Sequence, residues 1–168
     1  MSFPGSGIGP PAGGLTRSVR VVPVTTATPD YADGDAMGGL LTFTDFVRAS
    51  PGSGLITRAF IKSKVTIAVD VLLHLFIAPP SDSIYTDNGA LTIHANDWPN
   101  LLKTVLFDST DFLDMQAGLF QADKAVAIPY EVAEASTALN LYGLLESTGV
   151  INLASVSDLE VWLGQESN

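Results

Sequence analysis

Few side chains in this sequence could attack a bond or carry a proton. His74 and His94 are the only histidines, and there is no cysteine. A hydrolytic triad holds a histidine between a hydroxyl and a carboxylate. His74 lies in an apolar run and His94 near the end of a short one, and spacing alone brings neither to a Ser and an Asp. Each is read as a hydrogen-bonded core or surface histidine. The lack of Cys excludes disulfides, thiolate zinc sites and a cysteine nucleophile. Asp30, Asp33 and Asp35 around Gly34 gather oxygen ligands, as hard cations prefer, but the spacing fails the twelve-residue calcium loop and no bidentate Glu closes it. Side-chain-capped turns account for them better. Asp108, Asp111 and Asp114 recur every third residue, and Asp108, Ser109 and Thr110 are capping residues ahead of Phe112, Leu113 and Met115. Carboxylates so placed do acid–base work only if burial splits their pKa values, and capping is the expected role.

Two glycine patterns are equally bare of chemistry. Gly5, Gly7 and Gly9 are followed by Pro10 and Pro11 where a dinucleotide loop requires a helix. Gly52-Ser53-Gly54 has Pro51 where a nucleophile elbow needs a glycine, so it reads as a turn. No catalytic residue, metal ligand or cofactor site is predicted.

Surface chemistry is more informative. Charged residues are 15% of the chain against about 25% in an ordinary domain, and hydrophobic residues are 46%. That balance predicts apolar surface spent on other protein. Eight Lys and Arg against eighteen Asp and Glu give a net charge of −10, which disfavours a nucleic-acid partner. Through residue 104 the net charge is −1 and beyond it −9, which predicts two regions of different potential and a head-to-tail or mixed interface. Arg58, Lys62 and Lys64 cluster, with Arg58 and Lys62 on one strand face beside Phe60, a face suited to an acidic neighbour. Trp98, Trp162, Tyr31, Tyr85 and Tyr142 are core-rim residues or interface anchors. The residues assigned to an interface are Phe3, Ile8, Pro23, Arg58, Lys62 and Trp162.

The elements that would carry these residues are strands. Residues 1–14 are rich in Gly and Pro and form an N-terminal arm with Phe3 and Ile8 as anchors and a reach of up to about 3.3 Å per residue. Residues 15–168 form one domain, of a size that builds its own core. From Leu15 a strand runs toward Thr25, placed at an edge by Pro23. Leu40 to Phe43 is a short strand. Leu55 to Ser63 alternates, with Ile56, Arg58, Phe60 and Lys62 on one parity. Val65 to Ile77 should be a long central strand buried on both faces and hairpinned to it. Leu91 to His94 is a strand, and Ala95 to Leu102 a helical turn capped by Asn96 with Pro99 in its first turn. Lys103 to Phe107, Ala125 to Ile128 stopped by Pro129, Thr137 to Leu145 and Asp158 to Leu163 complete an all-β antiparallel sandwich or jelly roll with one or two short helical turns. No 18-residue apolar run marks a membrane span, and Met1 to Gly14 lacks the basic and apolar regions of a secretory signal.

Four segments carry a resemblance. Tyr31-Ala32-Asp33-Gly34-Asp35-Ala36-Met37-Gly38-Gly39 running into Leu40–Phe43, the stretch Gly54 to Ile77, the loop Thr86-Asp87-Asn88 leading to Leu91, and Ser155 to Gly164 are similar in order and spacing to a family of small bacteriophage virion structural proteins. The similarity runs from about Val19 to Gly164. Trp162 departs from it, standing where the family has small residues, and the Pro-rich arm belongs to this chain. The resemblance implies a non-enzymatic component of the virion, foremost a capsid decoration or cement protein that binds the major capsid protein and its own copies as a homotrimer or other symmetric oligomer. A neck or tail role comes next, and a receptor- or glycan-binding adhesin domain is the reading from another class.

Overall fold

The computed structural model describes residues 15–47, 52–132 and 139–167. Within them are β1 (Leu15–Val21), β2 (Leu41–Phe43), β3 (Gly52–Ser63), β4 (Val71–Phe76), β5 (Leu101–Phe107), β6 (Leu113–Asp114), β7 (Phe120–Val132), β8 (Leu141–Ser147) and β9 (Leu159–Ser167), with 3-10 turns at Ala95–Asn100 and Ser109–Asp111. One antiparallel sheet has the order β1-β9-β3-β7-β6 and the other β2-β8-β4-β5. With the two-residue β6 set aside, the paired strands nest: β1 with β9, β2 with β8, β3 with β7 and β4 with β5. That nesting is a chain folded double and rolled up, so the sandwich is a jelly roll.

The core lies between the sheets. Ile56, Ala59 and Ile61 of β3 with Val161 and Leu163 of β9 meet Leu73 and Leu75 of β4 with Leu141 and Leu145 of β8, and Phe43 and Phe107 fill the same layer. Each fully buried aliphatic or aromatic side chain here is worth about 1.5–3 kcal/mol relative to exposure. A second cluster, Phe76, Tyr142 and Leu144, sits on the outer face of the four-stranded sheet beneath Tyr85, Leu91 and Ile93. Both faces of β4 are thus covered, as its apolar alternation requires.

Several sequence expectations are corrected. The run Val65 to Ile77 is not one strand hairpinned to its predecessor: β3 and β4 lie in different sheets, and the chain crosses between them through residues 64–70. Ser63 Oγ donates to Val65 O and accepts from Val65 N, closing the bend at which β3 ends. The alternation in β3 breaks at a register shift between Ile56 and Arg58, so Ile56 turns inward with Ala59 while Arg58 stays out. Residues 91–94 contribute only the bridge of Thr92 with Ile84. The turn at Ala95 is capped by His94, whose Nδ1 accepts from Asn96 N, rather than by Asn96. Pro129 does not stop β7, which runs to Val132. β6 flanks β7 only at Phe120 and Gln121, so beyond it the outer edge has, among the described residues, no ladder that a missing N–H would interrupt.

The charge prediction is also overturned. Nesting lays N-terminal strands beside C-terminal ones, so cations of the near-neutral part meet carboxylates of the acidic part: Arg20 pairs with Glu160 at 2.9 Å, and Arg58 with Asp123. The two parts of the sequence interleave in space and do not form separate regions.

Candidate interface

Arg58, Lys62 and Trp162, singled out from sequence, come together on the outer face of the five-stranded sheet. Register does this directly: Arg20 on β1, Trp162 on β9, Phe60 on β3 and Asp123 on β7 form one row across four strands. The next row holds Glu160, Lys62 and Gln121. Phe60 and Trp162 stack with ring centroids 5.3 Å apart and planes 14° from parallel. The Arg20 guanidinium lies 5.9 Å from the indole centroid and the Lys62 ammonium 5.4 Å, while Arg58 and Lys62 lie 5.6 and 5.8 Å from the Phe60 ring. Such contacts contribute roughly 0.5–1.5 kcal/mol for the aromatic pair and 0.5–1 for each exposed cation.

Fixed partners orient Arg58 and the indole. Arg58 Nε donates to Asp123 Oδ1 at 2.7 Å and its Nη2 to Oδ2, and this hydrogen bond with the attendant charge raises the guanidinium pKa further. Trp162 Nε1 donates to Glu160 Oε2 at 3.2 Å. With Phe60 on one side and cations against the rings, the indole is part of a pile and does not present an open stacking platform.

Below this ladder the sheet face ends in a groove of about 360 Å³ lined by Lys62, Ser63, Lys64, Met115, Leu119, Gln121, Asp158 and Glu160. Its apolar wall is the β6–β7 hairpin. There Gln116, Ala117 and Gly118 all take positive φ (81°, 58° and 75°), and Met115 N to Leu119 O at 2.7 Å closes the turn. Leu113, Met115 and Leu119 stand 63%, 58% and 51% exposed on this one hairpin. Large apolar side chains concentrated on a tight turn mark a contact surface. Sequence reasoning treated this segment as a loop with capping acids and missed it; the signal was Leu113, Met115 and Leu119 in a stretch with no opposite strand to cover them.

A further exposed aromatic is Trp98, 65% exposed on the 3-10 turn. Buried Asp97 pins that turn, its Oδ2 accepting from Asp82 N at 3.0 Å and Ser83 Oγ at 2.6 Å.

The remaining sequence-derived interface residues fall elsewhere. Phe3 and Ile8 lie outside the described residues. Pro23 is beyond the end of β1, which is the sheet edge as expected, and its ring is buried against Gly38 rather than offered to a partner. Gly38 has φ +77°, and a Cβ there would sit 2.4 Å from that of Pro23.

His74, Asp108 and Asp111 each hold hydrogen bonds within the fold. His74 is 6% exposed; its Nδ1 meets Thr104 Oγ1 at 2.9 Å and its Nε2 meets Glu146 Oε2 at 2.8 Å, tying β4 to β5 and β8. Hydroxyl, imidazole and carboxylate are thus aligned, but the imidazole is buried and does not line the groove below the ladder. Asp108 and Asp111 form a reciprocal cap on the second 3-10 turn, and hydrogen bonds from Thr110 N and Oγ1 hold the Asp108 carboxyl below its ordinary range. Among the described residues no three His, Asp or Glu are grouped to hold a metal ion.

The loops that carry the resemblance form one knot. Asp87 accepts from Thr26 Oγ1 at 2.5 Å, Tyr31 Oη at 2.7 Å and Gly38 N at 2.6 Å. Ala36 N donates to Gly89 O and Asn88 N to Ala36 O, both at 2.9 Å. Burial, reinforced by the bond to Asp87, pushes the Tyr31 phenol well above its usual range. The segment Tyr31–Gly39 and the loop Thr86-Asp87-Asn88 are therefore two halves of a single structural fastening.

No family model matches the chain, and no curated protein matches it. Among solved structures it is similar to a chain of the native virion of Kashmir bee virus at neutral pH, at 10% identity over 92% of this chain and 70% of that one, with a TM-score of 0.31. At that score the likeness says nothing further about this chain. No helix among the described residues is long and apolar enough to cross a membrane.

Proposed function

We propose that this chain is a non-enzymatic virion structural protein: a capsid decoration or cement block that seats on the major capsid protein, clusters with its own copies as a homotrimer or other symmetric oligomer, and stabilises the head. The observation that carries this reading is the exposed outer face of the five-stranded sheet, where the aromatic–cation ladder runs into an apolar-walled groove and the hairpin bearing Leu113, Met115 and Leu119. The jelly-roll topology supports it, being an architecture of capsid and lectin domains, though a fold alone assigns no role. The sequence resemblance supplies the phage context. Quantitative mass spectrometry of purified particles tests it: the chain should be present in hundreds of copies, and particles lacking it should lose heat resistance. Deleting residues 1–14 should leave the domain folded and lower its occupancy on the shell. Absence from particles, or unchanged heat resistance without it, refutes the proposal.

A second reading, a receptor- or glycan-binding domain on a tail or fibre, draws on Trp98, which is exposed on a rigidly pinned turn. A count of a few to a few dozen copies per particle, with glycan binding lost in Trp98→Ala, favours it over decoration.

A further inference from the structure

The groove at the foot of the sheet has an electrostatic feature that names its occupant. Four charged side chains line it, two ammoniums and two carboxylates; both carboxylates accept hydrogen bonds within the chain, and the two ammoniums are exposed. Asp158 is buried and its Oδ2 accepts from Ser155 N at 2.7 Å. Glu160 gives Oε1 to Arg20 and Oε2 to Trp162 Nε1. Lys62 and Lys64 are exposed, and neither has a carboxylate within ion-pair distance among the described residues; Lys64 Nζ donates to Ser157 O at 3.0 Å. The groove therefore presents unmatched positive charge along one side and the apolar side chains of Met115 and Leu119 along the other. Hydrogen-bonded walls hold this shape. The turn is closed at Met115 and Leu119, and Lys64 N donates to Asp158 O at 2.9 Å. A site pre-formed in this way spends little binding energy on ordering itself.

We infer that this groove binds an extended segment of a partner protein in which a carboxylate side chain is followed or preceded by an apolar one, the carboxylate lying between Lys62 and Lys64 and the apolar group against Met115 and Leu119. This rests on the reading of the chain as an assembly protein and adds the chemistry of what it grips. Charge complementarity selects the acid, because a basic segment would meet two like charges, while of the groove's own acids Glu160 is taken up by Arg20 and Trp162 and Asp158 is buried. The apolar wall selects its neighbour.

The probe is a pair of blocked hexapeptides, one alternating Asp and Leu and its counterpart with Lys for Asp, titrated into the isotopically labelled full chain while methyl and amide resonances are followed. The acidic peptide is expected to shift Met115, Leu119 and Lys64 and to bind more weakly as salt rises. Lys62→Glu with Lys64→Glu should weaken it at least about ten-fold. Met115→Ser with Leu119→Ser, which alters only exposed side chains, should weaken it independently. Equal binding of the two peptides, or no loss in the Glu variant, overturns the inference. So does self-association that the Glu variant abolishes, because a second copy would then be the occupant. Particle occupancy of the Glu variant separates the two proposals. Absence of even the native chain from particles refutes the assembly reading. Native occupancy of the Glu variant leaves that reading standing and removes the groove's role.

Discussion

The Asp87 fastening gives the sharpest energetic prediction. Its carboxylate accepts from three donors on two segments, Thr26 Oγ1, Tyr31 Oη and Gly38 N, and Tyr31 is fully buried. Asp87→Ala would strand these donors. Hydrogen bonds to a charged acceptor are worth roughly 1.5–3 kcal/mol each, but three sharing one carboxylate do not add, and water reaches part of the site. A loss of about 3 kcal/mol is expected, which for a chain of this size lowers Tm by about 6–12 °C. Tyr31 Oη also accepts from Thr26 N at 2.7 Å, so Tyr31→Phe should cost about 1–2 kcal/mol. Urea unfolding of both single variants and the double variant completes the cycle, and the two losses should fall short of additivity by about 1 kcal/mol. The same site sets an alkaline limit. Because burial and Asp87 raise the folded-state phenol pKa above its unfolded value of about 10, its contribution is complete below that pH. It is lost as pH rises from there through the folded value, and Tyr31→Phe should flatten this part of the profile. An Asp87→Ala variant within about 0.5 kcal/mol of the native chain, or strictly additive losses, would refute the claim that one carboxylate couples these loops.

Gly38→Ala combines a left-handed backbone with a collision against Pro23 and should cost about 2 kcal/mol or more, read by thermal unfolding; a neutral result would mean the two segments separate readily. Trp162→Ala removes the stack on Phe60 and two cation contacts from a half-buried position, and about 2 kcal/mol should be lost in urea titrations. Loss in that variant of less than about 0.5 kcal/mol would make the ladder a contact surface with no role in the fold. His74→Leu leaves Thr104 and the partly exposed Glu146 without their partner and should cost about 1–2 kcal/mol in the same titrations. Ester-hydrolysis assays of native and variant chains should both read background, and any turnover lost with His74 would contradict its structural assignment.

Much of the fold was legible in the sequence because strand alternation is a local signal. The apolar parity of Val71, Leu73 and Leu75 and the exposed parity of Arg58, Phe60 and Lys62 survive intact in the structure. What was not legible depends on partners distant in sequence. Nothing near Pro129 reveals that the outer edge of β7 lacks a ladder there, so a proline that ordinarily ends a strand was read as ending this one. The break at residues 64–70 is hidden because the buried loop residue Ile67 has the same residue type as a strand core position. His94 as a cap was missed because imidazole is an uncommon capping group beside the better-suited Asn96. Of the aromatic–cation ladder, Arg58, Lys62 and Trp162 were singled out from residue type, while Arg20 and Glu160 join them only through the pairing of β1 with β9. Asp87 was quoted as part of a loop pattern, and its role as a shared acceptor needs three donors between 49 and 61 residues away.

The rolled topology also determines how a chain of net charge −10 can hold a partner by electrostatics. Had the acidic C-terminal part formed its own layer, the molecule would carry a broad dipole and attract partners over a wide face. Nesting instead sets β9 and β7 beside β1 and β3, so Glu160 and Asp123 are consumed by Arg20 and Arg58, while Lys124 neutralises Asp111 at 2.6 Å. Pairing at short range neutralises these three acids, and salt screens the remaining negative charge beyond about 8–10 Å at physiological ionic strength. Within that acidic surface the local feature a neighbour can read is the pair of ammoniums of Lys62 and Lys64 beside an apolar hairpin. Recognition of this kind is weak per site, with an exposed ion contact worth at most about 1 kcal/mol. It becomes useful where many copies are arrayed against a repeating surface and each contact is multiplied by its neighbours. A rigid strand-built block with small, specific grips suits that setting better than it suits the capture of a single soluble ligand.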